Sequence, residues 1–442
     1  MNRTKWMERA KELGLEGLEI RQTTSTSREI SWYEGKMDTF VTSKILSTAL
    51  RAQWNGRLAT TSLEKVDDSM MDDVLNGLKT SASLVADSEK DHLVAPQETE
   101  LTASTRTWTK ASVEQIKTTL ADLEQRLLAA DKRVRSVDSL EWSDGSVSVS
   151  QVNSLGLDIT DEDTSQALVA SITAVENGEV RDGYEIAVVD DLNNFEPDKL
   201  VDKLVKKVTD TLGARSMKAK TCKAIMNNEA MTTLFSCFAP TLFSGTMIAR
   251  GISPLTDKLD QKIWSDKITV VDDPRSQDAL SLQNYDDEGT PTCKKDVVKD
   301  GVFKTILHNT SSALKMNTVS TGNGFVAGGG ATSDSPMNMY IVPGKDDEEE
   351  LEALMGDGVV ITNLAGMHAG VDPVTTNFSL QARGYLVENG KRVRPLTLIT
   401  IAGNFMQMMN DVEAVGNNLE WKFSSIACPS ILFEKLAIGG QE

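Results

Sequence analysis

The side chains best suited to chemistry are few in this 442-residue chain and stand far apart: three histidines, His92, His308 and His368, and four cysteines, Cys222, Cys237, Cys293 and Cys428. There is no H-E-x-x-H, the spacing that puts two imidazoles and a glutamate on one helix face around zinc. A metal site would have to be assembled from distant residues such as Cys237, Cys293, His308, His368 and Cys428, and nothing in their spacing favours it. The plainer reading of His308 and His368 is a hydrogen-bonded residue near a turn or on a cleft wall. Glycine-rich loops offer no more. Gly322–Gly328 reads G-x-G-x-x-x-G, one residue off the dinucleotide spacing, and no βαβ unit surrounds it. Gly384–Lys391 resembles a phosphate loop loosely, with five residues between its glycines and Arg392 where Ser or Thr should bind magnesium. Both read as turns. No G-x-S-x-G elbow is present. The carboxylates of Asp272, Asp273, Asp286, Asp287 and Glu288 give no sign that two of them face each other across a cleft.

The elements that would position such groups fall into two parts, and the fold class expected is α+β. Residues 4–13 read as a helix, and 18–27 and 29–35 as strands. Segments 48–56 and 57–63 are strand-forming and meet at Asn55-Gly56, a strong hairpin signal because both residues tolerate positive φ. A helix is expected over about 67–86, with Met70, Met71, Val74, Leu78 and Leu84 at helical period. Residues 87–110 are polar, contain Pro96 and read as a linker. The order then repeats. A helix over 112–131 carries Val113, Ile116, Leu120, Leu123 and Leu127 on one face, a run of strands follows, and a helix over 196–212 aligns Leu200, Leu204 and Val208. The expectation is an N-terminal domain, 1–215, of two helix–antiparallel meander–helix units (1–86 and 111–215, around the 87–110 linker), a layout suggestive of duplication.

Residues 216–442 are rich in glycine, with short strands and Gly, Asn, Asp and Pro turns, most plainly in Gly358–Asn418. They are expected to form a mainly antiparallel β domain. Met231–Arg250 reads as a helix. Asp346 is expected to N-cap a helix with Glu349 at capping-box spacing, a charge run whose plain meaning is a solvated helix start. Glu388–Lys391 repeats the hairpin-turn chemistry. Phe405–Met409 reads as helix packing, with Val412 and Val415 continuing its apolar face.

The composition, 40% hydrophobic and 25% charged, is that of a globular protein with a proper core. A formal charge of -19 would repel phosphate backbones, and the densest basic stretches, Lys203–Lys207 and Arg215–Lys223, make no patch that would reverse this, so no direct nucleic-acid binding is expected. No segment approaches the roughly 18 uninterrupted apolar residues of a membrane span, so no membrane partner is expected. The N-terminus, MNRTKWMERAKELG, reads as a charged helix rather than a signal peptide. Cysteines this widely spaced, without C-x-x-C, suit a reducing cytoplasm.

One series of short motifs is distinctive. It runs through Arg250–Leu255 (RGISPL), Ile268–Pro274 (ITVVDDP), Tyr285–Thr290 (YDDEGT), Lys299–Val302 (KDGV), His308–Ala313 (HNTSSA) and Ser320–Gly324 (STGNG). It continues with Gly384–Gly390 (GYLVENG), Ile401–Asn404 (IAGN) and Ala437–Gly440 (AIGG). This order resembles the TldD/PmbA family, and within it the PmbA (TldE) branch. The resemblance is strong over the C-terminal half and weak over the N-terminal half, where segments such as Thr48–Thr61 carry it. It implies a cytoplasmic partnership in which a TldD-type peptidase subunit holds a metal, zinc by expectation, through H-E-x-x-x-H and a distant cysteine. The PmbA-type subunit shares the fold, lacks the motif and completes a dimer. Such pairs trim small, unfolded or modified peptides, and the older label "modulator of DNA gyrase" belongs to the same family.

The catalytic part of that inheritance fails residue by residue. Met231–Arg250, where the motif should fall, contains no histidine and no acid, and Phe235–Thr241 fill the motif's window. The C-G-K loop of the active branch is also missing, with Ala427-Cys428-Pro429-Ser430 standing near it. The chain is therefore expected to be a non-catalytic PmbA-type subunit, without a cofactor of its own, whose partner is a TldD-type chain or a second copy and whose substrates are peptides. Two alternatives stand beside it: a metallopeptidase in its own right using His308, His368 and Cys428, or a non-catalytic homodimer that holds peptides along sheet edges of the C-terminal half. On resemblance and polarity, Asn309, Ser311, Gly322, Asn323 and His368 are the residues expected to line a shared cleft.

Overall fold

Helix, three antiparallel strands, helix: this order occurs twice in the first half of the chain. The first pass is Arg3–Glu12, Gly17–Tyr33, Lys36–Trp54, Arg57–Leu63 and Met71–Leu84. The second is Val113–Ala130, Val134–Asn153, Asp158–Glu176, Glu179–Val188 and Pro197–Thr209. The structure is a computed structural model and describes residues 1–86, 89–97, 108–326, 331–422 and 424–441. Much of the expected linker, and the end of the Gly322–Gly328 run, lie outside the described residues. Of the linker's described part, Leu93 and Val94 are buried.

The six strands form one antiparallel sheet, joined where Gly17–Tyr33 pairs with Val134–Asn153. What reads in sequence as two strands, 18–27 and 29–35, is one strand, because Arg28 stays in the ladder and sends its guanidinium to Asp144 (2.6 Å). Side chains alternate across it. Leu18, Ile20 and Ile30 share the face that the helices cover: Trp6 and Leu75 pack over the first two, and Ile116, Leu120 and Leu204 belong with Ile30 and Trp142. Glu19 and Arg21 point the other way, toward residues 286–288 of the C-terminal half.

In the C-terminal half, Lys220–Met226, Gly358–Ala365, Asn377–Glu388, Lys391–Asn404 and Ile431–Gly439 close into a ring, since Gly358–Ala365 pairs both with Lys220–Met226 and with Asn377–Glu388. Closure brings backbones into contact at Gly384, where a Cβ would lie 1.8 Å from the Val360 carbonyl oxygen. Closure is partial along the strands, since Lys391–Asn404 meets Ile431–Gly439 only over Thr400–Ala402. A second sheet is built around Val270–Asp272 and Met339–Ile341.

The apolar core of this half is centred on the helix Asn228–Leu242, whose Phe235 and Phe238 meet Phe405 at ring-centroid distances of 6.0 and 4.6 Å. The single helix read over Met231–Arg250 is in fact two, broken at Phe243 because Ser244 N-caps a new helix, Gly245–Ala249. The capping box lies one residue later than its expected place. Asp347, with extended backbone, accepts from the Glu350 amide, while Asp346 bridges to Gly416 instead. Only Phe405–Met408 is helical in the Met-rich run, and Val412–Val415 is a strand on Ile431–Gly439 rather than a continued helix face. Among the described residues no helix is long and apolar enough to cross a membrane.

Candidate functional site

A cleft of about 360 Å³ opens where the last strand of the six-stranded sheet faces the first helix of the C-terminal half. Among the described residues Glu179–Val188 pairs with Asp158–Glu176 on one side only, and its Tyr184 and Ile186 line the cleft. The opposite wall is the one polar face of an otherwise apolar helix. Asn227 caps Asn228–Leu242 by accepting from the Ala230 amide, and the next residues to face solvent are Glu229, Thr232, Thr233 and Ser236. Their spacing follows from the helical period, since i, i+3, i+4 and i+7 share a face.

Charge holds the cleft together. Lys422 donates to Glu185 (2.5 Å) and Glu229 (2.6 Å), Lys207 to Glu229 (2.9 Å), and Lys203 to Glu420 (2.6 Å). Glu185 belongs to the N-terminal sheet, Glu229 to the C-terminal helix and Lys422 to a later loop, so one ammonium ties the two halves. Burial works against ionisation of Glu185, and the ammonium groups of Lys207, Lys422 and Lys203 outweigh it, holding the carboxyl below its usual range. Glu229 is lowered in the same way by Lys207 and Lys422. Burial would lower Lys422, but Glu229 and Glu185 hold it above the usual ammonium range. Lys203 and Lys207 of the basic stretch are thus paired with carboxylates.

Cys428 lies directly behind this helix face, its amide donating to Thr232 Oγ1 (2.9 Å). The residue is fully buried, and burial pushes its thiol well above the usual range, so it remains protonated. We expect a thiol reagent to modify exposed Cys293 in the native protein and Cys428 only on unfolding, followed by mass spectrometry of labelled peptides at rising denaturant. Labelling of both at one rate would contradict this environment.

The sequence-predicted residues are elsewhere. Asn309 caps Thr310–Lys315, accepting from the Ser312 amide (2.8 Å), and Ser311 is half-buried on that short helix. Asn323 is fully buried, donates to Asp272 (2.8 Å) and the Ser335 carbonyl (3.0 Å), and accepts from Lys295 (3.0 Å). Gly322 holds φ +70 with no room for a Cβ beside the Pro291 carbonyl. Asn309, Gly322 and Asn323 therefore belong to one buried hydrogen-bonded layer, linked through Thr321, which bonds both His308 and Asn323. His368 is exposed on Met367–Gly370, apart from them. His308 is buried, 2.9 Å from Ser312 Oγ, and burial lowers its pKa despite the nearby Asp334.

The residues that sequence reasoning missed are Glu185, Lys207, Glu229, Lys422 and the Thr232, Thr233, Ser236 face. The polar stripe on an apolar helix was the one local signal. The helix begins three residues before the segment read in sequence, and so does contain an acid, Glu229.

A metal does not fit this cleft. Zinc needs imidazole, thiolate or carboxylate donors in convergent geometry. Here hydroxyls face the cleft, the nearby thiol is protonated, and the carboxylates of Glu185, Glu229 and Glu420 are each taken by a lysine. Among the described residues no group of three His, Cys, Asp or Glu side chains could hold a metal ion.

An antiparallel sheet backed by four helices and docked on a closed barrel, with a cleft between, defines a two-part α+β architecture. Residues 219–440 match the PmbA/TldA metallopeptidase C-terminal domain and residues 106–212 the PmbA/TldA metallopeptidase central domain. The chain belongs to the PmbA/TldD family. It is similar to Metalloprotease PmbA of Escherichia coli O157:H7, 29% identical over 323 residues, which are 73% of this chain and 69% of that protein. A Metalloprotease PmbA homolog of Buchnera aphidicola (subsp. Baizongia pistaciae) is 30% identical over 65% of this chain and 62% of its own length. Among solved structures, a Thermotoga maritima protein named as a modulator of a DNA gyrase aligns over 99% of both chains with a TM-score of 0.87 and 26% identity. TldE from Thermococcus kodakarensis gives 0.89 over 99% of this chain and 100% of that one, and its 23% identity speaks for the fold alone.

Proposed function

We propose that this chain is the non-catalytic, PmbA/TldE-type member of a cytoplasmic metallopeptidase assembly that processes or degrades small or unfolded peptides. One observation carries the reading: the helix face on the cleft presents Thr232, Thr233 and Ser236 beside a buried, protonated Cys428, and no imidazole. Water cannot be activated there by metal ligands that the face does not offer. Among the described residues the strand Glu179–Val188 has a strand partner on one side only, and its Tyr184 and Ile186 line the cleft, which suits a peptide added in extended form. In the assembly a TldD-type subunit, or a second copy, completes the dimer, and any zinc belongs to the TldD-type chain.

The test is metal analysis of the purified chain alone and after co-expression with a TldD-type protein carrying H-E-x-x-x-H. We expect no stoichiometric metal in the first sample, and in the second a complex whose peptidase activity is abolished by substitutions in the partner's motif. One tightly held zinc per isolated chain would sink the proposal.

A further inference from the structure

The cleft does not end between the two halves. It shares Ile186 and Glu420 with a second cavity of about 480 Å³, whose apolar lining includes Phe195, Leu200 and Trp421. In the other direction it shares Asn363 with a third cavity, of about 490 Å³, over the exposed side chains of the ring strands. Two strands carry the trench from one cavity to the next. Tyr184 and Ile186 of Glu179–Val188 line the cleft, and Ile186 and Val188 line the second cavity. Lys220–Met226 runs beside Gly358–Ala365 only as far as Ile361, so the residues beyond form a wall of their own. That wall starts in the cleft at Thr362 and ends in the third cavity at Ala365.

Charge along this trench is unevenly compensated. In the middle, Glu185, Glu229 and Glu420 each have a lysine. In the second cavity Lys199 pairs with Glu196 and Lys203 with Glu420, whereas Asp190 and Asp191 have no cationic partner among the described residues. The third cavity is the reverse. Arg383 stands directly across the ladder from Asn363, is exposed, and among the described residues makes no ion pair. Its neighbours Gln381, Thr400 and Gln441 are polar and uncharged. The charges left over are therefore carboxylates at one end and a guanidinium at the other, with neutralised pairs between.

An extended chain with an ammonium at one end and a carboxylate at the other has this same pattern in reverse. A guanidinium matches a carboxylate in shape as well as charge, because its fork can donate two parallel hydrogen bonds. Phe195 and Trp421 beside the acids suit an apolar side chain near the amine. We propose that the trench takes a peptide with both termini free, its C-terminal carboxylate on Arg383 and its N-terminal ammonium beside Asp190 and Asp191. This rests on the peptide-handling reading of the cleft and adds to it a substrate class and a direction.

The probe is a flexible peptide with an internal fluorophore, made with free termini, with a C-terminal amide, and with an acetylated N-terminus. Fluorescence anisotropy follows its titration with the full-length chain, alone and in complex with a TldD-type chain whose motif glutamate is replaced by glutamine. Amidation and acetylation should each weaken binding by about three- to tenfold, the scale of one solvent-exposed charged contact. The difference should shrink as salt is added. Arg383→Met should abolish the preference for the acid over the amide at an unchanged melting temperature, and Arg383→Lys should keep part of it. Equal binding of the free-ended and amidated peptides overturns the proposal but not the peptide reading beneath it. So does an acid preference that survives Arg383→Met, or indifference to acetylation. Failure of all three peptides to bind overturns both.

Discussion

Replacing Arg51 with methionine is expected to lower the unfolding free energy by about 3–5 kcal/mol, the range for removing one partner of a buried ion pair. Arg51 is nearly buried between Glu19 (Nη1 to Oε1, 3.2 Å) and Glu288 (Nη2 to Oε1, 3.8 Å), one from the N-terminal sheet and one from the C-terminal half. Glu288 is also held by the Thr310 amide (2.8 Å) and the Thr332 hydroxyl (2.6 Å), so it cannot swing out to water. Burial raises the pKa of Glu19, and Arg51 opposes that rise. A carboxyl whose folded pKa lies above its unfolded value adds most to stability below the unfolded pKa and loses that contribution as pH rises. Without Arg51 the rise is larger, so the penalty should be smaller at about pH 5 than at about pH 7.5. Adding Glu19→Gln to Arg51→Met should recover part of the loss. Chemical denaturation at the two pH values measures all three effects. A penalty under about 1 kcal/mol, or one independent of pH, would mean that the guanidinium is not what neutralises this junction.

That junction was hidden in the sequence for a physical reason. Asp286, Asp287 and Glu288 were legible as a cluster of acids and as part of a family motif, but their partners Arg21 and Arg51 lie more than two hundred residues away. Local chemistry was read well. Asn55-Gly56 and Asn389-Gly390 take the positive φ values that two-residue hairpins need, 50 and 68, and 53 and 72. Amphipathic helices were equally plain, because Ile116, Leu120, Leu123 and Leu127 keep one face. The capping box slipped by one residue since Asp346/Glu349 and Asp347/Glu350 satisfy the same spacing, and only tertiary contact decides between them. Residues 36–47 were not read as strand at all. The period-2 alternation that betrays a strand comes from burying one face, and here both faces are exposed. Likewise the cleft joins residues 185, 207, 229 and 422, which no local pattern connects.

The second large effect is expected at that cleft. Lys422→Met should cost about 2–3 kcal/mol, below the full price of a broken buried pair because Lys207 still reaches Glu229 and Glu185. The Lys422 side chain is 20% exposed and Glu185 only 2%, so solvent cannot replace the lost ammonium at the sheet edge. The pH dependence has the opposite sign to that of Arg51→Met. Glu185 and Glu229 have folded pKa values below their unfolded ones, so their contribution is present above the unfolded carboxyl pKa, about 4.3, and is lost as pH falls through the folded values. The melting-temperature gap between wild type and Lys422→Met should therefore hold steady from about pH 6 to about pH 8 and narrow under about pH 4. A double-mutant cycle with Glu185→Gln isolates the link between the halves, with a coupling of about 1–2 kcal/mol expected. Coupling near zero would mean that the sheet and the barrel hold their relative position without this lysine. The cleft would then be a groove between two independently stable surfaces, and no longer a site whose geometry one side chain fixes.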